Sequence, residues 1–264
     1  MGTYRFTILG CGSSGGVPRI GNQWGACDPA EPKNRRTRCS LLIERTGTDG
    51  ITRVLVDTSP DMRAQLLAAG TADLDAVIYT HSHADHMHGI DDLRQLVILN
   101  RRRIAVWADP QTQGDLIDRF GYVFTQAEGS NYPPICDLHS IKGRFAIDGA
   151  GGTIDLLPFT VQHGDIEALG FKVANVAYLP DVSKIPAEVW PELMGLDCWI
   201  IDALRRAPHP THAHLARTLE WIDRAAPRQA ILTNMHNDLD YATLLDETPD
   251  NVTPAYDGLT YETG

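Results

Sequence analysis

The feature that most constrains this chain is a dense run of metal-ligand residues, Thr80-His-Ser-His-Ala-Asp-His-Met-His88. Imidazole and carboxylate groups are the natural ligands of borderline divalent cations. A short apolar strand pattern precedes the run, which predicts that these residues lie on the loop that follows a strand. We expect His81 and His83 to face one metal ion. Asp85 and His86 would then face a second, the alternative being a solvated polar loop.

Three further candidate ligands lie far along the chain, and each follows the end of an apolar strand pattern. They are His163, Asp181 and His236. Because α/β folds place their active sites beyond the carboxyl ends of strands, we expect the three to share one rim. Asp181 is the best-placed carboxylate to bridge two ions. The competing interpretations are an ordinary loop histidine for His163 and a helix N-cap for Asp181.

Composition bounds the class of protein. The chain has 264 residues, 43% hydrophobic content and a net charge of −11. No linker or low-complexity segment is visible, so we predict a single domain over residues 1–264. The acidic balance argues against nucleic acid as a partner. No apolar run approaches the length of a membrane span, no signal peptide pattern is present, and five scattered cysteines predict reduced thiols in a cytoplasmic protein.

The periodicity of apolar residues predicts the fold class. Strand patterns dominate the first third of the chain, and helical patterns recur between later strands. This order favours sheets covered by helices, in the α/β (α+β) class. Residues 121–140 are interpreted as an irregular aromatic segment. Residues 212–225 are predicted to form an amphipathic helix that His212 opens, which would place this histidine near a helix N-terminus.

The motif and the three distant residues, in this order, resemble the metallo-β-lactamase superfamily. The resemblance spans nearly the whole chain. It implies a four-layer αββα sandwich with a dinuclear metal site at the sandwich edge. It also assigns each ligand to an ion: His81, His83 and His163 to one, Asp85, His86 and His236 to the other, and Asp181 to both.

Within the superfamily the chain is most similar to the phosphoribosyl 1,2-cyclic phosphate phosphodiesterases. Three segments carry this likeness: Gly10-Cys-Gly-Ser-Ser-Gly-Gly-Val-Pro18, Arg35–Ser40 and Thr211-His-Ala-His-Leu215. The resemblance implies a catalytic histidine at His212. The glycines of the first segment predict a tight loop that could cradle a phosphate, although a plain turn is the favoured interpretation.

The last metal ligand departs from the family pattern. The family carries a Thr-His pair where this chain has Thr233-Asn234. His236 lies two residues further on, and it would share a side with Asn234 if the strand continued. The sequence therefore leaves open whether His236 or Asn234 completes the second metal site.

These residues predict a phosphodiesterase that uses a hydroxide bridging two divalent ions, zinc or manganese, with iron as a further option. The substrate is expected to be a small cyclic or nucleotide-like phosphodiester. Asp85 and His212 are the predicted catalytic residues. Arg38, Tyr122 and His212 are the predicted substrate-binding residues, against ordinary packing for the tyrosine and a solvated charge for the arginine. Asp57 is expected to orient a metal-bound histidine.

Other functions stay open at this stage. The same metals could serve a hydrolase of a carboxylic ester, lactone or thioester. The segment Thr58-Ser-Pro-Asp-Met-Arg63 resembles the pyrroloquinoline quinone biosynthesis B protein, which suggests a non-catalytic relative. A nuclease that processes tRNA is disfavoured by the net charge. The complete His81–His86 motif favours a working hydrolase, and the sequence does not decide whether it forms a homodimer.

Overall fold

The computed structural model describes residues 2–126 and 128–263. The described chain divides into two compact units, each assembled from separate segments. One unit consists of residues 2–9, 40–156 and 260–263, and the other of residues 10–39 and 157–259. Neither unit is a continuous stretch of sequence, because the chain enters the second unit twice.

Strands and helices alternate through most of the described chain. The strands are β1 (Thr3–Gly10), β2 (Ser40–Thr46), β3 (Ile51–Val56), β4 (Ala76–Ile78), β5 (Ile104–Ala108), β6 (Cys136–Ser140), β7 (Phe145–Ile147), β8 (Ile154–His163), β9 (Ile166–Val173), β10 (Val176–Leu179), β11 (Cys198–Asp202), β12 (Gln229–Thr233), β13 (Val252–Pro254) and β14 (Thr260–Glu262). The α-helices are α1 (Met62–Ala68), α2 (Ala84–Met87), α3 (Leu93–Asn100), α4 (Pro110–Phe124), α5 (Trp190–Leu193), α6 (Leu215–Ala225) and α7 (Tyr241–Glu247). Short 3-10 helices cover Pro32–Asn34, Ile90–Asp92 and Ala187–Val189.

The first sheet has the order β14-β1-β2-β3-β4-β5-β6. Strands β3 to β6 run parallel, with Val56 opposite Ile78. The backbone N–H of Asp57 donates to the carbonyl of Ile78 at 2.9 Å. The carboxyl ends of β3 and β4 therefore meet at one edge of the sheet. The loop that begins at Asp57 and the loop that contains Thr80 leave the sheet next to each other.

The second sheet has the order β13-β12-β11-β10-β9-β8-β7. Strands β10 to β13 run parallel, and β8 runs in their direction because both β8 and β10 are antiparallel to β9. All five residues of β11 are buried, as expected for a strand flanked by parallel neighbours. One edge of this sheet therefore carries four strand-end residues: His163, Asp181, Asp202 and Asn234. Mixed sheets with interspersed helices confirm the predicted α/β class.

The segment 121–140 is more regular than its sequence suggests. Helix α4 continues to Phe124, and Cys136–Ser140 forms an edge strand. The side chain of Asp109 accepts from two backbone N–H groups of the first turn and so fixes the start of α4. Leu116 and Val123 are buried on either side of a kink at Phe120, where the backbone leaves the helical region (φ −133°). The prediction of an irregular segment was wrong at both ends, because the strand exposes alternate polar residues that resemble a loop.

Helix α6 begins later than predicted. It starts at Leu215, and the side chain of His214 caps it by accepting from the backbone N–H of Arg217 at 3.0 Å. The backbone before the cap is tied down by a bond from Leu204 N–H to the Ala213 carbonyl. His212 therefore lies in the segment before the helix, and its predicted place at the helix N-terminus was wrong.

All five cysteines are buried and carry free thiols. Within the described residues, every helix is too short or too polar to cross a membrane.

Gly89 lies just after the histidine motif, where the backbone is tightly packed. Its N–H donates to the Thr58 carbonyl, and a Cβ at this position would lie 2.1 Å from the carbonyl oxygen of Ser59. We expect Gly89→Ala to lower the free energy of unfolding by about 2 kcal/mol or more, because a backbone carbonyl must move. Gly114→Ala in α4 is the matched control, since a Cβ at this position would have no atom within 4 Å outside the neighbouring backbone of its own helix. It should stabilise the chain by up to about 1 kcal/mol. Urea unfolding measures both, and equal midpoints would contradict the prediction.

Asp240 caps α7 and is expected to make the fold sensitive to acid. Burial alone would raise the pKa of its carboxyl, but bonds from Asp28 N–H, Asn34 and Thr243 lower that pKa to about 2. The stabilisation is therefore present above the ordinary pKa near 4 and is lost as the pH falls through about 2. Asp240→Asn should have a lower urea midpoint than the wild type at pH 7, and the difference between the two midpoints should become smaller below pH 4. A difference that does not change with pH would contradict the role given to the Asp240 carboxylate.

Candidate metal centre

The histidine motif folds into a compact group at the end of β4. His83 occupies the N-cap position of the one-turn helix α2, so the extended backbone ends and a helical turn begins within the motif. The ring of His81 lies 4.6 Å from the ring of His83 and 4.3 Å from the ring of His86, measured between centroids. His81 is almost completely buried and its Nδ1 lies 3.0 Å from the hydroxyl of Thr80. The loop therefore packs three imidazoles against one another.

Asp57 fixes the orientation of one of these imidazoles. Its Oδ2 lies 2.7 Å from His86 Nδ1, and it accepts two bonds from the backbone and hydroxyl of Thr80 at 2.8 Å. At this distance the carboxylate accepts the Nδ1 proton, which leaves the lone pair on His86 Nε2. That nitrogen lies 3.6 Å from Asp85 Oδ2. Burial raises the pKa of Asp57, and His86 opposes the shift.

The second compact unit repeats this arrangement with different residues. His163 Nδ1 lies 2.7 Å from the Thr211 carbonyl, which must accept its proton, so the lone pair is on Nε2. His163 Nε2 lies 3.3 Å from Asp181 Oδ2, and both residues are buried. Gly164, with a φ of 62°, lets the chain turn directly after the histidine. A lone pair and a carboxylate oxygen at this separation form an arrangement that a cation stabilises.

Beside this pair, His212 is held by a buried carboxylate. His212 Nδ1 lies 3.0 Å from Asp202 Oδ2, and its ring centroid lies 4.5 Å from that of His163. The Asn234 amide nitrogen donates to Asp181 at 3.1 Å and to Asp202 at 3.3 Å. Burial raises the pKa of Asp202 to about 6, against the opposing effect of His212. The amide therefore links the two carboxylates.

Four of the seven predicted ligands offer donor atoms that all lie within 4.8 Å of one another: His81, His83, His163 and Asp181. Ligand atoms around a tetrahedral zinc ion are about 3.4 Å apart, since each bond is about 2.1 Å long. Three imidazole nitrogens and one carboxylate oxygen are a donor set that borderline divalent cations accept. The chemistry of the donor set therefore fits a metal ion, and the four side chains are grouped closely enough that they could hold one.

The structure places Asn234, and not His236, against Asp181. Strand β12 ends at Thr233, and Asn234 adopts a left-handed φ of 59°, so the strand register invoked for His236 does not continue. The inference that residues 234 and 236 share one side of a strand was therefore wrong. His236 Nδ1 lies 3.4 Å from Asp238 Oδ1, and the side chain is 20% exposed.

The predicted substrate-binding residues lie in different surroundings. Arg38 is half-buried and its backbone bridges to Gly12 in the glycine-rich loop. Tyr122 is 49% exposed on α4 and lines a cavity of about 380 Å³ with Asp91 and Arg94. Arg36 is buried, with a guanidinium nitrogen 3.4 Å from the His236 carbonyl.

Two residues of this site were missed in the sequence. Asp202 ends the apolar run Cys198-Trp-Ile-Ile-Asp202, the same strand-end signal that identified Asp181. Thr211 holds His163 through its backbone carbonyl, which any residue type could provide, so no sequence signal marks it.

Comparisons with known proteins bear on the family of this chain. Residues 52–235 match the family model of the β-lactamase superfamily domain. A solved diphosphatase from the PhnP family superposes with a TM-score of 0.87 and is 34% identical, with 99% of this chain and 97% of that chain covered. The octanoyltransferase of Porphyromonas gingivalis is 35% identical over 97% of this chain and 51% of its own length. Ribonuclease Z of Bradyrhizobium diazoefficiens is 30% identical over 57% of this chain and 49% of its own length. The chain thus spans about half the length of these two curated relatives.

Proposed function

Because this chain belongs to the β-lactamase superfamily, we propose that it is a metal-dependent phosphodiesterase that hydrolyses a small, cyclic or nucleotide-like phosphodiester. The predicted metallo-β-lactamase type of fold is confirmed by the family match and by the solved neighbour. That neighbour is a diphosphatase, and one curated relative is a ribonuclease, so both support a hydrolase of phosphoryl compounds.

The observation that carries the proposal is the mutual distance of 4.8 Å or less among donor atoms of His81, His83, His163 and Asp181. These residues would hold one divalent ion. Asp85 and His86, whose Oδ2 and Nε2 lie 3.6 Å apart, would hold a second ion together with Asp181. When bound, such ions make water nucleophilic at neutral pH and offset the charge of phosphoryl oxygens.

The protein's own residues supply orientation and a proton. Asp57 and the Thr211 carbonyl keep His86 and His163 in the tautomers that present Nε2 to a ligand. Asp202 accepts the Nδ1 proton of His212, so Nε2 is the nitrogen that can exchange a proton with the substrate. We propose that His212 protonates the leaving oxygen or donates a hydrogen bond to the phosphate.

Elemental analysis coupled to an assay tests the proposal. We expect about two zinc, manganese or iron ions per chain and turnover of bis(p-nitrophenyl) phosphate with added Mn²⁺ or Zn²⁺. Nitrocefin and acyl thioesters serve as controls for the alternative bond types. Faster turnover of either control would favour a lactam or thioester hydrolase. Metal-loaded protein that is inert towards every ester would favour a non-catalytic accessory protein.

A further inference from the structure

The glycine-rich segment Gly10–Pro18 forms a tight turn over Ser13–Gly16, in which the Gly16 N–H donates to the Ser13 carbonyl at 2.7 Å. The N–H of Ser13 is itself bound to the Met235 carbonyl at 3.2 Å. The N–H groups of Ser14 and Gly15 donate to no acceptor within the described residues. The turn therefore presents two adjacent backbone donors.

Two side-chain donors at this turn are buried and have no protein partner among the described residues. Ser13 is 3% exposed, and its Oγ makes no hydrogen bond to the described chain. The Nε atom of Arg19 is also buried and makes no hydrogen bond to the described chain. A Cβ built on Gly15 would lie 3.2 Å from Arg19 Nε, so the guanidinium packs directly against the turn. Because nearly all buried polar atoms in folded proteins have a partner, these donors point to a ligand.

The turn lies close to the proposed catalytic residues of the same compact unit. Met235, which holds Ser13, directly follows Asn234, and neighbouring Cα atoms are about 3.8 Å apart. The Asn234 amide contacts Asp181 and lies 3.2 Å from His212 Nδ1. Ser13 is thus connected to His212 through Met235 and Asn234.

The charge at this place favours an anion. The guanidinium of Arg19, which packs against Gly15, brings a positive charge to the turn. The nearby Asp238 carboxylate lies 3.4 Å from the His236 imidazole and accepts from the Arg206 backbone N–H, so it already has partners of its own.

We propose that the Ser13–Gly16 turn and Arg19 form a binding site for a phosphate group. Adjacent backbone N–H groups, a hydroxyl and a guanidinium are the donors that recognise phosphate oxygens. The site is distinct from the metal ligands. Its occupant is either a phosphate group carried by the substrate, which rests on the proposed function, or free inorganic phosphate.

Titration with inorganic phosphate tests the site itself. We expect Arg19→Met to raise the dissociation constant for phosphate by about tenfold or more, because a charge-assisted bond is lost. Ser13→Ala should raise it by a smaller factor. Arg35→Met is the matched control, since Arg35 is exposed and stacks on Trp24 at 5.1 Å. It should leave phosphate binding unchanged.

A pair of substrates identifies the source of the phosphate. Thymidine 5′-p-nitrophenyl phosphate and its 3′-phosphorylated form differ by one phosphate group. If the substrate supplies the occupant, Arg19→Met should lower kcat/KM only for the 3′-phosphorylated compound. If free phosphate is the occupant, the variant should weaken phosphate binding and leave the ratio of the two kcat/KM values unchanged.

Two results would overturn the site: wild-type phosphate binding in both Arg19→Met and Ser13→Ala, or equal weakening in Arg35→Met. If Arg19→Met does not fold, Ser13→Ala and Arg19→Lys replace it in the phosphate titration. Wild-type phosphate binding in both of these variants would then overturn the site. A protein that hydrolyses neither thymidine compound contradicts the proposed function, and the phosphate titration still tests the site.

Discussion

Asp181→Ala is expected to lower kcat/KM for a phosphodiester by at least about 1,000-fold and to reduce the bound metal. The carboxylate lies 3.3 Å from His163 Nε2 and belongs to the group of four donors, so it is the proposed shared ligand. Losing several kcal/mol of charge stabilisation corresponds to about three powers of ten in rate. His83→Ala should have a similar effect, because His83 belongs to the same group of four donors. This variant should still fold, since His83 is exposed and contributes little to the core. Steady-state kinetics and elemental analysis on the same samples measure both quantities.

His139→Ala is the matched control for these variants. This histidine is exposed on β6, where its ring stacks on Trp107 at 4.7 Å, and it has no proposed role in the site. We expect it to retain metal and activity. Asp181→Ala also removes an acceptor of the Asn234 amide and can therefore lower stability. Comparing its thermal midpoint with that of His83→Ala separates a loss of stability from a loss of metal. Full activity in both folded variants would contradict the proposed ligand set.

Asp57→Asn is expected to weaken metal binding by about 10- to 100-fold while the chain still folds. Asparagine tolerates the left-handed φ of 62° at this position and can still accept from the Thr80 N–H. Its amide nitrogen, however, would face His86 Nδ1 as a donor. The imidazole would then carry its proton on Nε2, the nitrogen proposed to bind the metal. Competition with a colorimetric chelator measures the affinity.

A second measurement separates this effect from a general loss of stability. Nitrogen chemical shifts of the His86 imidazole should show the change of tautomer in the metal-free protein. Asp75→Asn is the matched control, because Asp75 also accepts a backbone bond in the same unit, from Arg53 N–H at 2.8 Å. We expect this control to bind metal as tightly as the wild type. Unchanged affinity in Asp57→Asn would show that the carboxylate has no part in orienting the histidine.

The sequence predicted the parts of the site that depend on local spacing. The motif from His81 to His86 is dense enough to identify a metal loop without any structure. His163 and Asp181 were identified because each follows an apolar strand, and parallel strands bring their carboxyl ends to one edge. Asp57 was expected to orient a histidine, and it lies 2.7 Å from one. The sequence could place these residues because strand direction alone determines where their side chains begin; their role as ligands stays a prediction.

Other features depend on contacts that a single sequence does not encode. His212 was assigned to a helix, yet the cap at His214 stops the helix short of it. The register that should have carried His236 to the metal ends at Thr233, because Asn234 turns into the left-handed region. Asp202 carried the same strand-end signal as Asp181, but the sequence analysis assigned it no role. The hydrogen bond from the Asn234 amide to Asp181 could be found only in three dimensions.

The central claim is that separate segments of this chain share one divalent cation. A crystal of the zinc-loaded protein, measured at the zinc absorption edge, tests it most directly. We predict an anomalous peak about 2.1 Å from donor atoms of His81, His83, His163 and Asp181. A peak bound elsewhere, or no peak in crystals whose protein contains zinc by elemental analysis, would contradict the claim.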